Sequence, residues 1–256
     1  AYNSAVECCL HTAEVTGSNP VMPTPKRRQR FNKLLAAFSF RAMDTPEIGV
    51  RYQAVAPDLI ADFEQAAWQQ AEPVSLDRNW RGERAPNELA TTARVLWTDE
   101  HLWFGFTCGY TELDVDTEFD VQQERYALWE RDVCEAFVQA PLEPSAQAYK
   151  EFEVAPTGQW FDVAIRQPRV DVQWDWQSGM KTAAVIDESV RVWHAVTVIP
   201  FSAFGVTPQP GDRWRGNLFR ISRLQGARQF LAFSPTLTDA PNFHVPDRFA
   251  IFHFTH

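Results

Sequence analysis

The chain has 256 residues, with 19 Phe and 10 Trp and more Pro (17) than Gly (11), a balance that suits many short strands closed by turns and speaks against a helical bundle. Its formal charge of −9 is uneven: residues 1–50 hold six basic and four acidic side chains (+2), which leaves 18 basic and 29 acidic (−11) for the rest. A domain of that sign without a Lys/Arg stripe lacks the footprint of a nucleic-acid binder, and no apolar run approaches the ~20 residues of a membrane helix, so the expected partner is a neutral or cationic ligand.

Residues 1–50 show no sustained alternation, carry Pro20, Pro23 and Pro25, and place Lys26, Arg27, Arg28 and Arg30 before a short apolar run that Arg41 cuts off. A secretory leader needs a longer apolar stretch near the start, so no clear signal peptide is read here. The segment is expected to be an N-terminal extension of low order, with 51–256 as the folded domain. From Val50 onward, short apolar or alternating runs recur between Pro, Gly, Asp and Asn clusters. They predict strands over 93–97, 101–110, 132–139, 148–155, 159–165, 182–186, 191–199, 213–221, 229–233 and 249–254. Turn signals at 98–100, 156–158 and 208–212 separate several of them. The fold class expected is all-β, a two-sheet antiparallel β-sandwich. Cys8, Cys9, Cys108 and Cys134 lack zinc spacing, and the last two, set in strand-like runs, are expected to be buried thiols.

Period-2 alternation sorts the side chains by face. In 132–139, Cys134, Ala136 and Val138 point one way, and Glu135 with Val133 and Phe137 the other. In 148–155, Phe152 and Val154 oppose Tyr149, Glu151 and Glu153. In 159–165, Phe161, Val163 and Ile165 oppose Trp160 and Asp162. Antiparallel sheets commonly leave one face to solvent, so Glu135, Glu151, Glu153, Asp162, Tyr149 and Trp160 are expected to share an open polar face.

The segment Trp129-Glu130-Arg131-Asp132-Val133-Cys134-Glu135-Ala136-Phe137 resembles the Trp-Glu-x-Asp-x-x-Glu-x-Phe signature of family 9 carbohydrate-binding modules. Other motifs follow in the family's order: 95–103 before it, Tyr149-x-Glu151-Phe152-Glu153-Val154, Trp193 with Ile199-Pro200-Phe201, Gly211-Asp212-x-Trp214-Arg215-x-Asn217 with Arg220, and 243–249. The resemblance implies an immunoglobulin-like or DOMON-like sandwich that holds an oligosaccharide or polysaccharide of plant type, including xylan or cellulose chain ends, in an aromatic slot with a polar rim. It implies no catalysis, and an extracellular or periplasmic location. By motif position Trp129 matches the first ring of the slot and Glu135 its carboxylate; Phe243 falls at the second ring, and Glu153 and Arg220 complete the candidate binding set. Glu153 and Ala155 stand where better-known members have a sugar-reading Arg and Asn. Arg220, Arg223 and Lys150 are candidates to restore that positive charge.

Three further readings concern single residues. Asp132, on the apolar side of its strand, needs backbone hydrogen bonds or a cation, and the resemblance admits a structural calcium there. A DOMON-like fold can also carry haem, for which His244 and Met180 are the axial candidates. Trp174 and Trp176 share a face if their segment is extended, open to a glycan or to a protein partner. An interaction sandwich without sugar binding is the alternative function; glycosidase activity is disfavoured because acids on an open face lack the burial that tunes a catalytic pair.

Overall fold

The computed structural model describes residues 45–121 and 123–256. The expected extension lies outside the described residues as far as Asp44, as do Cys8 and Cys9. Among the described residues the strands are β1 (Glu47–Tyr52), β2 (Val74–Ser75), β3 (Arg78–Asn79), β4 (Thr91–Trp97), β5 (His101–Gly109), β6 (Val133–Gln139), β7 (Tyr149–Val154), β8 (Trp160–Gln167), β9 (Asp171–Gln173), β10 (Lys181–Asp187), β11 (Val192–Pro200), β12 (Arg213–Leu224), β13 (Ala227–Ala232) and β14 (Ala250–Thr255), with one short helix, α1 (Ala66–Gln70). Each strand expected from the sequence is present. The four that the alternation does not show are β1 and the two- and three-residue strands β2, β3 and β9.

The hydrogen-bonded order is β10-β11-β5-β4-β1-β14-β12-β6-β7-β8-β9, with β13 beside β12. The two layers are therefore halves of one continuous sheet that curls over on itself, rather than two separate sheets. β1 is the bridge: it runs parallel to β14, from Glu47↔Ile251 to Arg51↔Thr255, and parallel to β4 through Arg51↔Leu96 and Tyr52↔Trp97. The expected domain start at 51 falls inside this strand, whose buried Ile48 and Val50 belong to the core. Every other pairing is antiparallel.

The curl brings distant strands face to face. Four strands separate β5 from β6 in the path, yet Cys108 Sγ on β5 lies 3.5 Å from Cys134 Sγ on β6, both as free thiols within the core. Trp97, Phe104, Phe106, Trp193, Trp214, Phe252 and Phe254 fill the same layer interface. Packing is close enough to require glycine at Gly216, where a Cβ would lie 2.4 Å from Phe252 Cε2 and 2.5 Å from the Phe137 carbonyl oxygen.

The two outer faces differ. On the first layer α1 covers the sheet, burying Trp68 against Leu96, Trp103, Val196 and Val198. On the second layer the outer face of β12, β6, β7 and β8 carries a separate apolar cluster of Val133, Phe137, Tyr149, Phe161, Val163, Ile165, Phe219 and Ile221, partly covered by Phe243 and Phe249 from the 233–249 connection. The candidate site lies there.

Candidate functional site

Cross-strand register sets the floor. Glu135 on β6 stands opposite Glu153 on β7, with Phe219 of β12 on its other side; Glu151 lies two residues along β7, and Phe161 and Val163 of β8 flank the two β7 glutamates. Phe161, Val163 and Ile165 therefore share the face of the glutamates, and Asp162 and Trp160 point inward. The sequence expectation had β8 the other way round; the apolar row of β8 follows the second cluster, not the central core. Nor is the acidic face open. Glu135, Glu151 and Glu153 are 2%, 5% and 0% exposed.

Walls rise from elements that pack over this floor. Trp129 sits on the one-turn helix Leu128–Glu130, entered through Ala127 in the left-handed region (φ 63°) and anchored by buried Leu128. Its ring lies 5.5 Å from Phe161 and 6.3 Å from Trp174, and its carbonyl accepts from Arg228 Nη2. Trp174, just past β9, is half exposed. Opposite stand Phe230 of β13 and Phe243, whose ring stacks on Phe219 at 4.1 Å. Together with Arg169, Asn242 and His244 they enclose a pocket of about 390 Å³, into which Glu135 and Glu151 project.

Burial dominates the electrostatics here, because a desolvated carboxylate in an apolar ring is costly. It raises Glu135 and Glu153 well above the ordinary carboxyl range and Glu151 above it, and mutual repulsion adds to the effect on Glu135 and Glu153. Glu135 Oε1 and both Glu153 oxygens have no hydrogen-bond donor. Partial relief comes from His244, whose Nδ1 is 3.8 Å from Glu151 Oε2 and 2.6 Å from the Tyr149 hydroxyl, and from Arg228, which opposes the rise at Glu135. The arrangement permits recognition. Ring faces take the apolar side of a ligand, and the floor takes its donors.

The model of carbohydrate-binding family 9 matches residues 56–254, which include every element of this pocket. The chain belongs to carbohydrate-binding family 9. Solved structures with the same fold include a candidate carbohydrate-binding protein from Bacteroides uniformis (TM-score 0.64, 19% identity, covering 82% of this chain and 99% of that one). Others are a family 9 module from Caldicellulosiruptor kristjanssonii in complex with cellotriose (TM-score 0.58, 12% identity, 82% and 93%) and in complex with glucose (TM-score 0.57, 14% identity, 82% and 95%). No curated protein matches the chain significantly.

Set against this family 9 fold, the candidate residues separate into two groups. Trp129, Glu135 and Phe243 line one pocket, and Glu153 lies under it beside Glu135. Phe243, 6% exposed with one face against Phe219, is wall rather than free platform; the accessible second ring is Trp174. Arg220 is not at the site. It points to the opposite side of β12, fully buried, and donates to the Leu89 and Gly109 carbonyls, Thr91 Oγ1 and Ser222 Oγ. The strand's parity explains this: Phe219 and Ile221 occupy the pocket face, so Arg220 between them cannot. Arg223 pairs with Asp114 and Lys150 with Glu143, and the arginines lining the pocket are Arg169 and Arg228.

Asp132 shares the Arg220 side of the sheet. Its oxygens accept from the Ser222 hydroxyl at 2.7 Å and the Asp114 N–H at 2.8 Å. With those donors and a guanidinium nearby the site does not fit calcium, and among the described residues no group of three or more His, Cys, Asp or Glu is placed to hold a metal. Haem ligation by His244 and Met180 fails too, since Met180 is in the central core and His244 on the outer face. Trp176 leaves Trp174 at a turn closed by its N–H to Gln173 C=O, and packs on Phe152.

Proposed function

We propose that this pocket is the carbohydrate site of the protein and that it takes a mono- or disaccharide unit of a plant-type polysaccharide, presented as a chain end. The observation that supports the reading is the pairing of two indole rings, partly buried Trp129 and exposed Trp174, with a buried carboxyl floor in one pocket of about 390 Å³. That volume is near the lower end of small-ligand pockets, roughly 300–1,000 Å³, which favours a terminal unit over a long stretch of chain. Cellotriose and glucose are bound by structures of the same fold, and they are the model ligands. The protein then acts by binding alone, as family 9 modules do, in polysaccharide catabolism outside the cytoplasm.

Each ring that covers ~60 Å² of sugar contributes about 1.5 kcal/mol at ~25 cal/mol per Å². Two rings and a few charge-assisted hydrogen bonds, less the cost of association, give an affinity on the order of micromolar to millimolar. The test is calorimetric titration of the full chain with glucose, xylose, cellobiose and xylobiose. Saturable heat is expected for at least one, weakened about tenfold or more in Trp129→Ala with an unchanged circular-dichroism spectrum. Absence of binding to all four would reject this reading and leave the interaction-sandwich alternative.

A further inference from the structure

The floor of the pocket is over-supplied with carboxyls and under-supplied with donors. Three glutamates share one patch of sheet, Glu135 and Glu153 directly opposite each other, where like charges destabilise a strand pair. The neighbours on the same face, Phe137, Phe161, Val163 and Phe219, offer no hydrogen bond. Glu135 lines the pocket and is 98% buried, and its Oε1 has no partner. Such a group in a folded protein calls for a compensating partner, and the chain does not provide one.

The charged groups around it are otherwise engaged. Arg228 on β13 lies over the Phe230 ring at 5.0 Å and donates to the Trp129 carbonyl. Arg169, in the turn after β8, donates to Asn242 Oδ1. His244 shares Nδ1 with the Tyr149 hydroxyl and stands 3.8 Å from Glu151, not Glu135. Among the described residues no Lys or Arg forms an ion pair with any of the three glutamates. A metal ion is not the answer, since no suitable ligand group exists among those residues.

We infer that the ligand class this pocket prefers is a sugar with a free amine, a hexosamine unit in its protonated form. This rests on the sugar-site reading above and departs from its plant-type ligand, whose glucose and xylose units carry no amine. An ammonium brings three donors and a positive charge to a floor of acceptors. The aromatic walls, Trp129, Trp174, Phe161 and Phe230, suit a cation as well as a ring C–H face. Residues 51–256 carry 18 basic and 29 acidic side chains, net −11, and a field of that sign concentrates cations. The ammonium favours the ionised form of the floor carboxyls, which burial disfavours.

The experiment is titration of the full chain at pH 6 with glucosamine, glucose and N-acetylglucosamine, in two buffers of different ionisation enthalpy. Glucosamine is expected to bind about tenfold or more tightly than glucose, with buffer-dependent heat that reports proton release, and N-acetylglucosamine to lose the advantage. Glu135→Gln should bring the glucosamine-to-glucose affinity ratio close to one, with thermal melting confirming a folded variant. Glucose binding equal to or tighter than glucosamine would overturn the inference and leave the sugar site standing. Binding of none of the three would overturn both.

Discussion

Two buried groups of charged side chains sit on opposite sides of the sheet, and they are finished differently. On the inner side Asp132 is held by Ser222 and Asp114, and Arg220 makes four hydrogen bonds, leaving only its Nε without an acceptor. On the outer side Glu135 and Glu153 keep three carboxyl oxygens with no donor. Both clusters are desolvated, so burial alone does not tell them apart. Satisfaction does: the partnered cluster ties β12 to β4, β5 and β6 and is structural, whereas the unpartnered one opens into a pocket and is suited to a ligand.

The largest way to break that comparison is to remove the guanidinium from the inner cluster. Arg220→Ala leaves Asp132 buried without the guanidinium charge that favours its ionised form and strips donors from four backbone or hydroxyl acceptors. A loss of about 3–5 kcal/mol is expected, or about 6–20 °C in melting temperature for a domain of this size. A melt within a degree or two of the parent would show that the inner cluster is not structural.

The outer cluster should respond to pH in the opposite sense to an ordinary surface carboxylate. Its glutamates titrate above their unfolded values, so the folded state holds more protons than the unfolded one, and their contribution to stability is present below about pH 4.5 and declines as pH rises through the raised values. Glu47, Asp116 and Asp187 are shifted downward and act below that window. Glu153→Gln, which removes a like charge facing Glu135 and Glu151, is therefore expected to gain roughly 1 kcal/mol relative to the parent between pH 5 and pH 8. Denaturant melts at both pH values would show it; parallel pH profiles would contradict the assignment of repulsion to this floor.

Much of the scaffold was legible because long strands alternate and are bounded by Pro and Gly. β1 was missed since Glu47–Tyr52 gains its identity from parallel partners more than forty residues away in sequence, and β2, β3 and β9 are too short for any period to appear. At the site, Trp129 and Glu135 stood out through their motif. Trp174 stood out only through its spacing to Trp176, and Phe230 and Arg228 could not, because their approach depends on β9 and β13 closing over the floor. Arg220 and Asp162 carry a different lesson. Each lies between apolar residues of the outer cluster, Phe219 and Ile221 or Phe161 and Val163, and parity would have turned both inward had that cluster been recognised as a second core.

The smallest effect concerns how Trp129 is presented. Ala127 enters the Trp129 turn at φ 63°, where a side chain is strained by about 1–2 kcal/mol. Ala127→Gly relieves that strain at some cost in unfolded-state entropy, and a net gain of a few tenths of a kcal/mol up to about 1 is expected in thermal melts. A loss of stability would mean that the Ala127 methyl group contributes packing that outweighs the strain.

The most direct test of the central claim is a crystal structure of the protein with cellobiose. Density for a sugar ring against Trp129 and Trp174, with a hydroxyl on Glu135, is the predicted result. A sugar bound elsewhere with this pocket holding only solvent would contradict the account.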